Sequence, residues 1–71
     1  MKNLKELLIE KGYEEGNNCY YKSTGEKIYY FNMNDNDEFT TVTVEFNGTG
    51  GQEEILYDQA TIESLEEIEN I

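Results

Sequence analysis

Apolar residues recur along this chain at two different periods, and the switches between them outline a fold. In "NLKELLIEKGY", Leu4, Leu7 and Leu8 fall on one face of a helix, and Gly12 is a suitable residue to stop it. The period then drops to two. "NCYYKSTGEKIYYFNM" reads as two strands joined by a turn at Ser23-Thr24-Gly25-Glu26, and "NDND" breaks the chain after them. "EFTTVTVEF" is the clearest strand, with Val42, Val44 and Phe46 alternating against Thr41, Thr43 and Glu45. "NGTGG" marks a further turn and "EEILY" a fourth strand. Helical spacing returns at Ile62, Leu65 and Ile68, with Asp58 or Thr61 as N-cap.

The order helix, strands, helix predicts one α+β domain over residues 1–71. It consists of an antiparallel sheet of three or four strands with the N-terminal and C-terminal helices on one face. Leu4, Leu7, Leu8, Ile62, Leu65 and Ile68 would cover that face, leaving the other open to solvent. In the preferred register Tyr29, Phe31 and Met33 point inward with Val42, Val44 and Phe46. Tyr30 and one of Tyr20 or Tyr21 then lie on the open face, though a slip of one residue reverses every side chain.

Charge changes this picture. The chain carries 16 acids against 5 basic residues, for a net charge of −11, and has no histidine, proline or tryptophan. All the bases are lysines (Lys2, Lys5, Lys11, Lys22, Lys27), and in residues 1–27 they are cancelled by Glu6, Glu10, Glu14, Glu15 and Glu26. Residues 28–71 hold eleven acids and no base, so the whole excess lies there. The final stretch "ESLEEIENI" even sets Glu66, Glu67 and Glu69 in the last turns of its helix, where lysine or arginine would suit the macrodipole. Such acidity disfavours direct contact with nucleic acid or an anionic membrane and favours a basic partner. The lysine-rich start "MKNLKELLIEKG" is too short and charged for a signal peptide, and no apolar run reaches membrane length. The expected location is the cytoplasm.

Candidate chemistry is sparse. Without histidine or arginine, and with Cys19 alone, nucleophile–base pairs are almost unavailable, so no enzyme and no cofactor is expected. Cys19 reads as a small core residue in a strand. "NMNDNDEF" invites a calcium loop. Counting from Asn32 puts Asp37 where the loop needs glycine and Thr43 where it needs glutamate, and counting from Asp35 puts Phe39 at a ligand position. A polar turn fits better, leaving only a weak divalent-ion option at Asp35, Asp37 and Glu38. "NGT" at 47–49 likewise reads as a turn, not a glycosylation site.

What remains is the acid itself. Outward residues on a strand repeat at about 6.6–6.8 Å and helix neighbours at about 5–6 Å. Phosphates along one DNA strand repeat at about 3.4 Å of axis rise, and every second one at roughly twice that, which is a similar scale. Carboxylates held on strands and helices can therefore imitate a phosphate row. In size, arginine-free Lys/Asn/Ile/Tyr-rich composition and element order, the chain resembles the very small acidic early proteins by which lytic phages of Bacillus and its relatives disable host machinery. Within them it is similar to the inhibitor of the nucleoid protein HU. That resemblance implies a DNA-mimicking inhibitor acting in the host cytoplasm, reaching the nucleoid through its partner and occluding HU's DNA-binding surface. Alternatives are another nucleic-acid-handling target, such as RNA polymerase or a nuclease, or a divalent-ion-binding protein. The candidate contacts are Asp35, Asp37, Glu38, Glu45, Glu53, Glu54, Asp58, Glu63, Glu66, Glu67 and Glu69, with the face formed by Glu63, Glu66 and Glu67 and the Asp35–Glu38 turn foremost.

Overall fold

β-Branched and aromatic residues dominate 19–46, and they fold as an antiparallel meander whose strands follow one another in chain order. The computed structural model describes residues 2–46 and 52–70. Its elements are α1 (Leu4–Glu10), β1 (Glu14–Gly16), β2 (Cys19–Thr24), β3 (Lys27–Met33), β4 (Phe39–Phe46), β5 (Gln52–Tyr57) and α2 (Ile62–Glu69). The turn expected at 47–51 lies outside the described residues.

The architecture is α+β, with five strands where three or four were expected. The additional strand, β1, is only three residues long, Glu-Glu-Gly, and it pairs Glu14 with Tyr21, Glu15 with Tyr20 and Gly16 with Cys19. So short and polar a segment carries no alternation from which a strand can be read. It forms because β2 supplies the hydrogen-bonding edge beside it.

Local sequence sets the ends of the elements. Asn3 caps α1, its side chain accepting the Glu6 N–H at 2.9 Å. Gly12, at φ +94°, reverses the chain after the helix, and the Tyr13 N–H returns to the Leu8 carbonyl at 2.9 Å. The β2–β3 hairpin turns on Gly25 at φ +69°. Between β3 and β4 the Asn34 side chain accepts the N–H groups of Asn36 (2.9 Å) and Glu38 (3.1 Å), so "NDND" is a side-chain-capped turn. Thr61, not Asp58, caps α2. It exchanges hydrogen bonds with Ser64 as a capping box: Ser64 N–H to Thr61 Oγ1 at 3.1 Å and Thr61 N–H to Ser64 Oγ at 2.9 Å.

The expected register holds: Tyr20 faces Phe31, Phe31 faces Val42, and Tyr29 faces Val44. Tyr29, Phe31, Val42 and Val44 are buried together with Tyr20, Leu8, Leu65 and Ile68, while Leu4, Leu7, Met33 and Phe46 pack at the margin. Tyr20 is thus the inward member of its pair and Tyr21 the outward one. Tyr13 completes the core edge-on to Phe31, with ring centroids 5.4 Å apart at 88°. Two expectations change. Ile62, the first residue of α2, is only half-buried and outside the core cluster; Ser64, which forms the capping box with Thr61, is buried. Cys19 is half-buried in the outward register of β2, opposite Asn32, and does not join the core.

Candidate functional site

The sheet divides the chain's acids into two populations. On the helix side, burial of Leu65 and Ile68 orients α2, so that Glu63, Glu66 and Glu67 are exposed on its opposite face. The Tyr57 hydroxyl donates to Glu67 at 2.6 Å, and that bond raises the phenol above its ordinary range. Glu69 turns back toward the sheet, where Lys22 reaches it at 3.3 and 3.4 Å. The same ammonium stands 5.5 Å from the centre of the Tyr13 ring. The charge at the end of α2 is therefore partly compensated from β2, forty-seven residues away in sequence.

The link into α2 is tied down by the Ala60 N–H, which donates to the Thr40 carbonyl at the start of β4. This hydrogen bond brings Asp58 and the N-terminal turn of α2, with Glu63, to the end of the sheet that carries the Asp35–Glu38 turn. Asp35, Asp37, Glu38 and Asp58 are all exposed there. Asp37 adopts φ +61°, a conformation that aspartate tolerates in turns. Glu54, opposite Val44, belongs to the helix side of β5 and is also exposed.

Glu45 and Glu53 lie on the other, open side, directly across from one another on β4 and β5. The Tyr30 hydroxyl donates to Glu45 at 2.8 Å, and this bond, followed by partial burial, pushes the phenol up to about 12. Tyr21 stacks obliquely on Tyr30, with centroids 6.2 Å apart. Glu14 on β1, opposite Tyr21, acts as its hydrogen-bond acceptor and raises that phenol as well. Ile55, opposite Thr43, is 65% exposed at the far strand. Asn32 donates to Thr43 Oγ1 at 3.1 Å and to the Thr41 carbonyl at 3.3 Å, holding the middle of the face. Burial and the nearby Glu53 push the Cys19 thiol up, which keeps it protonated and a poor nucleophile.

No lysine stands on this open side. Lys5 lies in α1 and Lys11 caps it, Lys2 bonds Glu10 of the same helix, and Lys22 is held on the helix side by Glu69. Lys27 pairs in register with the inward Phe46, its ammonium 5.6 Å from that ring's centre. The eleven candidate acids thus do not form one surface: Glu45 and Glu53 are separated by the sheet from Glu63, Glu66, Glu67 and Glu69. Sequence reasoning placed Tyr30 on the open face but missed Glu14 and Ile55. Glu14 belongs to the strand that had no pattern. Ile55 alternates regularly with Glu53, but the irregularity in β4–β5 pairing between Val42 and Thr43 sets Tyr57 on the opposite face from it, which period counting does not register.

Among the described residues no group of three or more Cys, Asp or Glu side chains is gathered closely enough to hold a metal ion, and no helix is long and apolar enough to cross a membrane. No known family model, curated protein or solved structure matches the chain.

Proposed function

We propose that this chain is a non-enzymatic inhibitor that occupies the DNA-contacting surface of a basic host protein, with the nucleoid protein HU as its first target. The observation that carries the reading is the condition of the eleven acids in residues 28–71. Among the described residues, Glu69 is the only one of them that forms an ion pair with a lysine. The other ten sit without a basic partner on two strands, a helix and two connections. Carboxylates fixed on regular elements offer a basic groove what a phosphate row offers it, and can be accepted with the same exchange of counterions. Histidine and arginine are missing from the chain, and the one thiol is held protonated, which supports binding over catalysis.

Binding of this kind competes with DNA and weakens steeply with salt, because exposed charges are screened over about 8 Å at physiological ionic strength. Complementary fields act mainly on the association rate. The test is capture from bacterial lysate on the immobilised chain at low and high salt, followed by titration of purified HU with DNA and the chain in competition. The expected result is HU retained at low salt, released at high salt, and displaced from DNA. A ternary complex with DNA would remove occlusion, and capture of RNA polymerase or a nuclease in its place would reassign the target. Site-specific amide shifts at Asp35, Asp37 and Glu38 with micromolar calcium would favour the ion-binding alternative instead.

A further inference from the structure

We infer that the open side of the sheet, and not α2, is the surface that seats the partner, and that its occupant is a protein surface bearing lysine or arginine around an apolar side chain. The inference rests on the proposed function and says where on the chain it is carried out.

Three observations converge on this side. Its described charges are all negative: Glu14, Glu45 and Glu53 stand in the outward registers of β1, β4 and β5, and all five lysines belong to the helix side. It has an apolar centre, formed by Tyr21 against Tyr30 with the exposed Ile55 beyond. Aromatic residues in such a setting are the usual anchors of protein interfaces, with charge placed around them. Finally, Glu45 and Glu53 are a directly opposed cross-strand pair of like charge, an arrangement that destabilises a sheet by itself. A merely solvated face gains nothing from that pairing, whereas an incoming cation bridging both carboxylates relieves it.

The acids are also held in place before binding, Glu45 by Tyr30 and Glu14 by Tyr21, so less side-chain freedom is lost on contact. The exposed face of α2 lacks an apolar anchor, and the helix's remaining glutamate, Glu69, turns away from that face to pair with Lys22. Isolated exposed ion pairs contribute little by themselves, so charge without an apolar anchor holds a partner weakly. A second copy of this chain is a poor occupant, since stacking two open sides sets carboxylates against carboxylates.

The test compares two variants of matched charge change, Glu45→Gln/Glu53→Gln on the open side and Glu63→Gln/Glu66→Gln on α2, together with Ile55→Ser. Affinity for purified HU is measured by titration, and amide spectra confirm that each variant is folded. The open-side double variant and Ile55→Ser should each lose tenfold or more in affinity, and the α2 variant less than threefold. The reverse ranking overturns the inference while leaving the inhibitor reading intact. If the parent chain does not bind HU, that target falls, and an arginine-rich peptide titrated into the labelled chain decides the surface. Amide shifts on Tyr21, Tyr30 and Ile55 uphold the open side, and shifts confined to α2 overturn it.

Discussion

Tyr13 and Tyr30 stand on opposite sides of one thin sheet, and both phenols hold their protons above the ordinary range for different reasons. On the helix side the cause for Tyr13 is burial: its hydroxyl is enclosed and, among the described residues, has no hydrogen-bond partner. On the open side the first cause for Tyr30 is a carboxylate, Glu45, that accepts its hydrogen. The contrast extends across the two surfaces. Against the helices, aromatic side chains fill volume and charges are tied down, as Lys22 is by Glu69. Away from them, Tyr30 and Tyr21 orient the carboxylates of Glu45 and Glu14, an arrangement that the helix side repeats in the exposed Tyr57–Glu67 pair. The same residue types therefore serve mainly stability on one face and mainly presentation on the other, and substitutions should separate the two roles.

The largest difference is expected from deleting a side chain on each face. Phe31 is fully buried and Ile55 is 65% exposed. Phe31→Ala should cost about 3–5 kcal/mol, comparable with the whole stability that a core in a domain of this size supplies, so the variant should lose its dispersed amide spectrum. Ile55→Ala should leave the melting temperature nearly unchanged. Similar destabilisation by both would mean that the open side is part of the core.

Charge removal gives the next step. Lys22 and Glu69 are only about a quarter exposed, so Lys22→Met should destabilise by about 1 kcal/mol in a thermal or denaturant melt. Glu45→Gln, which relieves a like-charge pair, should instead leave the chain as stable as the parent or slightly more so. Equal losses from the two would place Glu45 in a stabilising network on the open side.

Tyr13→Phe should raise stability by up to about 1 kcal/mol, since a buried hydroxyl without a partner is removed and the ring stays against Phe31. A clear loss would reveal a partner for that hydroxyl.

The smallest effect is read in alkaline pH. An unfolded tyrosine ionises near about 10, while Tyr30 in the folded chain does so at about 12. The Tyr30–Glu45 contribution to stability is therefore complete below pH about 10 and lost as pH rises toward about 12. Ultraviolet titration should show this phenol moving back toward the ordinary value in Glu45→Gln, with Tyr13 unmoved because burial holds it. No change at Tyr30 would remove the carboxylate as the cause.

Much of this protein was determined by sequence alone. Periods of three to four and of two, with Gly12 and the Gly25 turn between them, specify both helices and the strands β2, β3 and β4, because burying one face leaves each segment a single workable period. The inward set Tyr29, Phe31, Val42 and Val44 follows from the same requirement, as does the concentration of acid after residue 27. Tertiary structure decided what periodicity cannot encode. It recruited β1, whose three residues are a strand only beside β2, and it set Ile55 and Tyr57, two residues apart, on opposite faces through a pairing irregularity. It brought Lys22 to Glu69 across forty-seven residues, answering the excess charge at the end of α2, and it divided the acids between two faces. Each of these depends on which segments lie next to one another in space. That is set by packing the whole sheet against two helices, and no local stretch of the chain carries the information.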